Sequence, residues 1–143
     1  MTISEIQNQI KADFSALPTQ DDKWAYLLKL AKSHPAMNPA LAEDKFLVKG
    51  CATRLFLVPE FKEGLLYLTI DTDNGAESPL IVRGLGAIAA QVYSGQKPSD
   101  ILATDPAFFQ EIGLNVALSA TRANGFASML KQIYMYAQVF SRM

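Results

Sequence analysis

Between Phe46 and Asp71 the chain holds three strand-like runs, Phe46–Val48, Thr53–Val58 and Leu65–Asp71, separated by short connections. Parallel strands need a crossover of a dozen residues or more, so these runs can pair only as an antiparallel meander, with Pro59–Gly64 as one link. In the third run Leu66, Leu68 and Ile70 alternate with Leu65, Tyr67 and Thr69. Both faces therefore carry bulk, which predicts helices over much of one side and loops over the other. The same region contains the one cysteine of the sequence, Cys51, directly after Gly50 in the first link. A glycine there lets the backbone take bends that a Cβ forbids, so the thiol is predicted on a turn from which it can emerge.

Helical signals surround this meander. Thr2 and Glu5 fit a capping box, and Ile3, Ile6, Ile10, Phe14 and Leu17 recur at helical spacing up to Pro18. Asp21 and Asp22 open a second helix that presents Trp24, Leu27, Leu28 and Ala31 on one face and carries Lys29 and Lys32 near its end. Those charges complement the helix dipole. Pro35 and Pro39 break the pattern, and 33–39 reads as a loop. Asp73-Asn74-Gly75 is a turn signal, and Ser78-Pro79 starts a helix from Leu80 to Tyr93 that is apolar nearly all round, interrupted by Arg83 and Gln91. That pattern predicts the central buried helix. Short helical turns come next at Ser99–Leu102 and after Asp105-Pro106, the second running up to Gly113. Ser119 is placed to cap a last helix with Phe126, Leu130, Ile133, Ala137 and Phe140 on its inner face. The expectation is one α+β domain over residues 1–143, with helices packed on a small antiparallel sheet of about three strands.

With 143 residues, half of them apolar, the chain is long enough for one sizeable core. A net charge of −1 with interspersed signs gives no field to attract nucleic acid or an anionic membrane. No run approaches the ~20 apolar residues of a membrane span, and Met1–Glu5 lacks a basic flank before an apolar block, so a cytoplasmic protein is expected. One cysteine excludes an internal disulfide, and with the single histidine, His34, it cannot form a Cys/His zinc cluster. No resident metal or cofactor is expected.

Four features invite a chemical reading. Gly84-Leu85-Gly86-Ala87-Ile88-Ala89 matches a dinucleotide-binding glycine pattern, but the segment after Ala90 is helical and turn-like rather than a parallel strand, so these glycines read as helix packing. His34 could serve Cys51 as a base, yet it precedes a proline in a polar loop and reads as a solvated side chain. Asp71 and Asp73 lie before Asn74-Gly75 without the rest of a calcium loop, and read as a turn. Cys51 has a bland reading too, since a lone cytosolic cysteine is commonly a small buried hydrophobe. Its setting argues for reactivity: Lys49 and Arg54 flank it, and nearby cations favour the thiolate.

Gly50-Cys51-Ala52-Thr53-Arg54-Leu55-Phe56, Asp71-Thr72-Asp73, Ile81-Val82-Arg83-Gly84-Leu85 and Leu118–Phe126 occur in this order, and over about Trp24 to Ala137 the chain resembles the SufE-type sulfur acceptors, the family that includes CsdE. Thr53, Leu55 and Phe56 stand where the family pattern has serine, valine and tryptophan, and 74–79 is slightly longer than usual, which reshapes the rim of the site. The resemblance implies a SufE/IscU-like fold and a persulfide relay. A pyridoxal-phosphate cysteine desulfurase supplies sulfur, Cys51 carries it, the desulfurase is stimulated, and an iron–sulfur scaffold complex receives the sulfur. It also implies a monomer or weak dimer. Gly50 would be the hinge of the cysteine loop. Arg122, Asn124 and Asp73 would bind the partner or support the loop. The competing expectation is a binding module of the same fold that stimulates a partner allosterically while its thiol stays inert.

Overall fold

The computed structural model describes residues 2–34, 37–49, 54–72, 80–105, 107–112 and 120–142. Its architecture is α+β. Helices α1 (Ile3–Ser15) and α2 (Gln20–Ser33) lead through two 3₁₀ turns, Pro39–Leu41 and Asp44–Phe46, into an antiparallel hairpin of β1 (Leu55–Lys62) and β2 (Leu65–Thr72). Helices α3 (Leu80–Tyr93), α4 (Pro98–Leu102), α5 (Phe108–Glu111) and α6 (Ala120–Phe140) complete the chain. The capping box at Thr2 and Glu5 forms in both directions, and Thr19 caps α2 by accepting from the Asp22 amide. Ser78, Pro79, Pro106, Gly113 and Ser119, expected at helix boundaries, lie outside the described residues.

Helix α3 is the centre of the molecule. Every residue from Ile81 to Ala89 is buried, and the helix packs on α2, on β2 and on the inner side of α1. Two glycines allow that approach. A Cβ on Gly84 would stand 2.5 Å from the Leu27 carbonyl oxygen of α2, and one on Gly86 would stand 2.9 Å from Ile70 of β2. Both glycines are therefore packing residues inside a helix, and no strand directly precedes them among the described residues.

The hairpin differs from the sequence expectation in two places, each for a local reason. Pro59–Gly64 is not a loop: β1 continues through Lys62, and the turn is Glu63-Gly64 alone. Both turn residues have positive φ, 55° and 82°, the signature of the two-residue turn that suits the twist of a hairpin. Pro59 is tolerated because it shares the parity of Leu55 and Leu57, whose carbonyls face away from β2, so its missing N–H falls on the outer edge. The predicted strand Phe46–Val48 is reduced to a single bridge between Leu47 and Phe56. Upstream, the amides of Phe46 and Leu47 bond back to Glu43 and Asp44, which turns the chain into a 3₁₀ helix and leaves too little extended backbone for a ladder. The sheet thus has two strands rather than three among the described residues.

Loops and side chains close the edges of this small sheet. On β2 the Leu66 amide donates to the Gln96 carbonyl at 2.9 Å, the Leu66 carbonyl accepts from the Gly95 amide at 2.8 Å, and the Leu68 amide donates to Ser94 Oγ at 2.9 Å. The Ile70 carbonyl accepts from His34 Nε2 at 2.7 Å, which requires that nitrogen to carry the proton. His34 is therefore a partly buried strand-edge donor at the C-terminus of α2, not the solvated loop residue expected. The end of β2 lies against that helix terminus, and a buried carbonyl needs a partner.

The two hairpin faces are covered unequally: helices cover one side as the alternation predicts, but the loop cover expected on the other does not reach Tyr67 and Thr69 of β2, which are exposed. Leu55, Leu57, Leu66, Leu68 and Ile70 enter the main core with α3 and residues of the other α-helices. Phe56 and Val58 form a smaller cluster with Met37, edged by Leu41, Ala42, Phe46 and Leu47.

Candidate functional site

Cys51 and Gly50 lie outside the described residues, as does Asp73. The ends that hold them are defined. On one side of the cysteine segment Val48 is buried and its amide donates to the Leu55 carbonyl at 2.8 Å, while Leu47 bridges to Phe56. Residues 49–54 thus leave from and return to one hydrogen-bonded neck. Lys49 at its start and Arg54 at its end are exposed. Arg54 reaches Asp44 at 3.4 Å and lies over the Phe56 ring, 5.4 Å from its centroid. Leu55 pairs with Thr72, so the segment carrying Asp73 departs from the neighbouring strand end.

A buried ionic network sits directly beneath that strand end. Arg83 Nε donates to Asp71 Oδ1 at 2.9 Å, with the two side chains 6% and 0% exposed. The Thr72 amide donates to Asp71 Oδ1 at 2.8 Å and the Met37 amide to Asp71 Oδ2 at 2.9 Å, while Arg83 Nη2 donates to the His34 carbonyl at 2.8 Å. An isolated buried charge is costly, and here each charge has its opposite plus backbone partners. One carboxylate and one guanidinium join the end of α2, the segment at Met37, the end of β2 and the start of α3. The sequence reading of Asp71 as a turn residue is corrected accordingly. The signal was present: Arg83 is the one charged residue of a helix that is apolar apart from Gln91, and a buried cation is stable only beside a buried acid.

The two remaining predicted residues lie in the first turns of α6. Arg122 is half-buried, with its guanidinium 5.5 Å from the centroid of the Trp24 ring on α2, a cation–π contact. Asn124 is exposed. This contact attaches the helix start to α2. Among the described residues no three His, Cys, Asp or Glu side chains gather as a metal site, and no helix is long and apolar enough to cross a membrane.

What sequence reasoning missed is the surface beside the neck. Helix α6 runs along β1, with Phe140 stacked on Phe61 at 5.3 Å and the Tyr136 hydroxyl donating to the Leu57 carbonyl at 3.4 Å. Burial raises the Tyr136 phenol above its ordinary pKa, although a hydrogen bond from Gln132 works against the shift. Between this helix and the Asp44–Lys49 segment an open trough of about 780 Å³ remains. Its two walls are far apart in sequence, and no periodicity connects them.

Comparison with known proteins places these features in a family. A family described as "SufE: Fe-S metabolism associated domain" matches residues 8–137. An uncharacterized SufE-like protein of Rhizobium meliloti is 35% identical over 136 residues, covering 92% of this chain and 94% of its own. The sulfur acceptor protein CsdE of Escherichia coli is 29% identical over 126 residues, covering 87% and 82%. The solution structure of a hypothetical protein from Thermus thermophilus superposes with a TM-score of 0.78 at 20% identity, covering 96% of this chain and 97% of that one, which establishes the shared fold. With the match extending over nearly the whole length and taking in every described element from α2 through β2 and α3 to most of α6, the chain belongs to the SufE family.

Proposed function

We propose that this protein is a cytoplasmic sulfur acceptor that takes sulfur onto Cys51 from the persulfide of a pyridoxal-phosphate cysteine desulfurase and passes it on toward iron–sulfur cluster assembly. The observation that carries the reading is the position of the one thiol in the sequence: it lies within the family match, on a six-residue segment whose ends are joined by the Val48–Leu55 hydrogen bond. The Cys51 thiolate attacks the terminal sulfur of the donor persulfide R–S–SH. The donor's S–S bond breaks, R–S⁻ leaves, and Cys51–S–SH forms with the proton still on the transferred sulfur. No electrons are gained or lost overall, so the step needs ionisation and access rather than an acid–base pair. Lys49 and Arg54 support ionisation by placing cations beside the thiol in sequence.

Gly50 acts as the hinge by which the sulfur moves between shelter and donor. Arg122, with Asn124 and Asp73, supports the loaded loop or contacts the donor. Draining the persulfide also accelerates the desulfurase.

The test is mass spectrometry of the intact protein after incubation with a cysteine desulfurase and free cysteine. A gain of about 32 Da, one sulfur atom on the cysteine oxidation ladder, is expected and should disappear in Cys51→Ser. Undiminished stimulation of the desulfurase by Cys51→Ser would replace the acceptor reading with that of an allosteric binding module. Arg122→Ala should weaken stimulation or binding, and unchanged values would remove Arg122 from the site.

A further inference from the structure

The trough between Asp44–Lys49 and α6 brings lysines together with apolar side chains. Lys45, Lys49 and Lys131 lie on its walls, all exposed, in a chain whose net charge is −1. Lys49 and Lys131 form no ion pair with a described residue, and Lys45 has a 3.8 Å contact with the exposed Glu43 and lies 5.1 Å from the centroid of the Phe46 ring. The single carboxylate among the described lining residues, Asp44, is engaged by Arg54. Among the described residues, three cations therefore face an open channel in which no uncommitted carboxylate opposes them.

Beside Ser128 and Gln132, the rest of the lining is apolar. Leu47 contributes from one wall, and Met135 and the Tyr136 ring from the other. Tyr136 is held in place because its hydroxyl donates to Leu57 and accepts from Gln132 Nε2 at 3.3 Å. Met135 is 50% exposed, and Val139, one helical turn further, is 53% exposed, so the apolar stripe continues out of the trough. An exposed methionine is a flexible, polarizable contact suited to a partner surface. The channel is concave between two walls, which a planar bilayer cannot enter, and its exposed side chains leave it too open to enclose a small ligand.

We infer that this trough docks an acidic, apolar-tipped segment of the sulfur-donor protein. The assignment rests on the acceptor reading above and adds the surface by which the donor is held. Cations on the rim steer an acidic segment and an apolar floor retains it, the division of labour that charge and burial show at transient interfaces. Position agrees with this role: Lys49 is both a wall of the trough and the residue from which the Cys51 segment leaves its neck, and Leu47 forms the bridge to Phe56 that holds the neck.

The experiment measures sulfur loading of Cys51 against desulfurase concentration for the full chain, for Lys45→Glu/Lys131→Glu and for Met135→Gln. The charge-reversed variant should raise the half-saturating donor concentration by about tenfold at low salt and flatten its dependence on ionic strength. Met135→Gln, which adds no charge, should raise it with little change in salt dependence. In both variants the loading plateau and the rate of Cys51 alkylation by iodoacetamide should match the unmodified protein, because neither change touches the thiol segment. Unchanged half-saturation in both variants, with normal loading of the unmodified protein, overturns the trough alone. An unmodified protein that never gains sulfur overturns the acceptor reading and this assignment with it. Co-sedimentation with phosphatidylserine vesicles that is lost in Lys45→Glu/Lys131→Glu would overturn it in favour of a lipid surface.

Discussion

The two faces of the hairpin are built to different standards. On one, Leu57 and Ile70 are fully buried in a core shared with α3, whose glycines bring α2 and β2 into close contact. On the other, Phe56 and Val58 are covered by Met37 and by partly buried side chains of a segment with only two 3₁₀ turns. The neck of the cysteine segment joins the two sides, since Val48 and Leu55 belong to the main core whereas Phe56 and Leu47 belong to the thinner face, which the Asp71 network also fastens through the Met37 amide. Regions with few buried apolar contacts open locally before the whole molecule unfolds. Helix packing thus secures the main core, while the thinner face is fastened by a few directional bonds.

The heaviest loss should come from removing a charge of that network. Arg83→Ala should cost about 3–5 kcal/mol in chemical denaturation, because it strands a buried carboxylate. A loss below about 1 kcal/mol would show that the Met37 and Thr72 amides suffice for Asp71 and that the thin face is fastened otherwise. Next comes a matched pair on adjacent residues of β1. Leu57→Ala, emptying space in the main core, should cost about 2–5 kcal/mol, and Val58→Ala, on the loop-covered face, about 1–2 kcal/mol because its surroundings can collapse. Equal losses from the two would abolish the distinction between the faces.

A milder change probes the helical side alone. The Tyr26 hydroxyl donates to Asp13 Oδ2 at 3.2 Å, and burial first, then the Asp13 charge, push its pKa up to about 12 from an ordinary value of 10. The folded state thus holds this proton more tightly than the unfolded chain. Its contribution to stability is complete below about pH 10 and is lost as pH rises through about 12. Thermal unfolding against pH should fall over that window, and Tyr26→Phe should flatten the fall while costing less than about 1 kcal/mol at neutral pH. An identical alkaline profile for the variant would remove Tyr26 as its cause.

Much of the helical framework was legible in the sequence, because capping and periodicity are local. Thr2 with Glu5, Asp21 and Asp22, the all-round apolar α3 and the inner face of α6 each announced their element. The hairpin was legible as antiparallel but not in its register. Pro59 reads as a breaker until its parity on the outer edge is known, and Glu63 carries no sequence mark of the positive φ it adopts. His34 and Asp71 were misread because their partners, Ile70 and Arg83, are supplied by the tertiary fold. Cys51 and Gly50 stood out in the sequence as a lone thiol after a glycine between Lys49 and Arg54, and Asp73 gained a role through the family resemblance; all three lie outside the described residues, whereas Lys131 and Tyr136 gain meaning only when α6 is laid along β1.

The edge contacts of β2 matter for life among other proteins. A lone hairpin with bare rims would be a template on which foreign strands could grow, and a molecule that repeatedly meets partners would be exposed to that hazard. Here Gly95, Gln96, Ser94 and His34 occupy the bonding positions of Leu66, Leu68 and Ile70, so strand addition along this rim would first have to displace them. Encounters are thereby left to side-chain surfaces, which can let go.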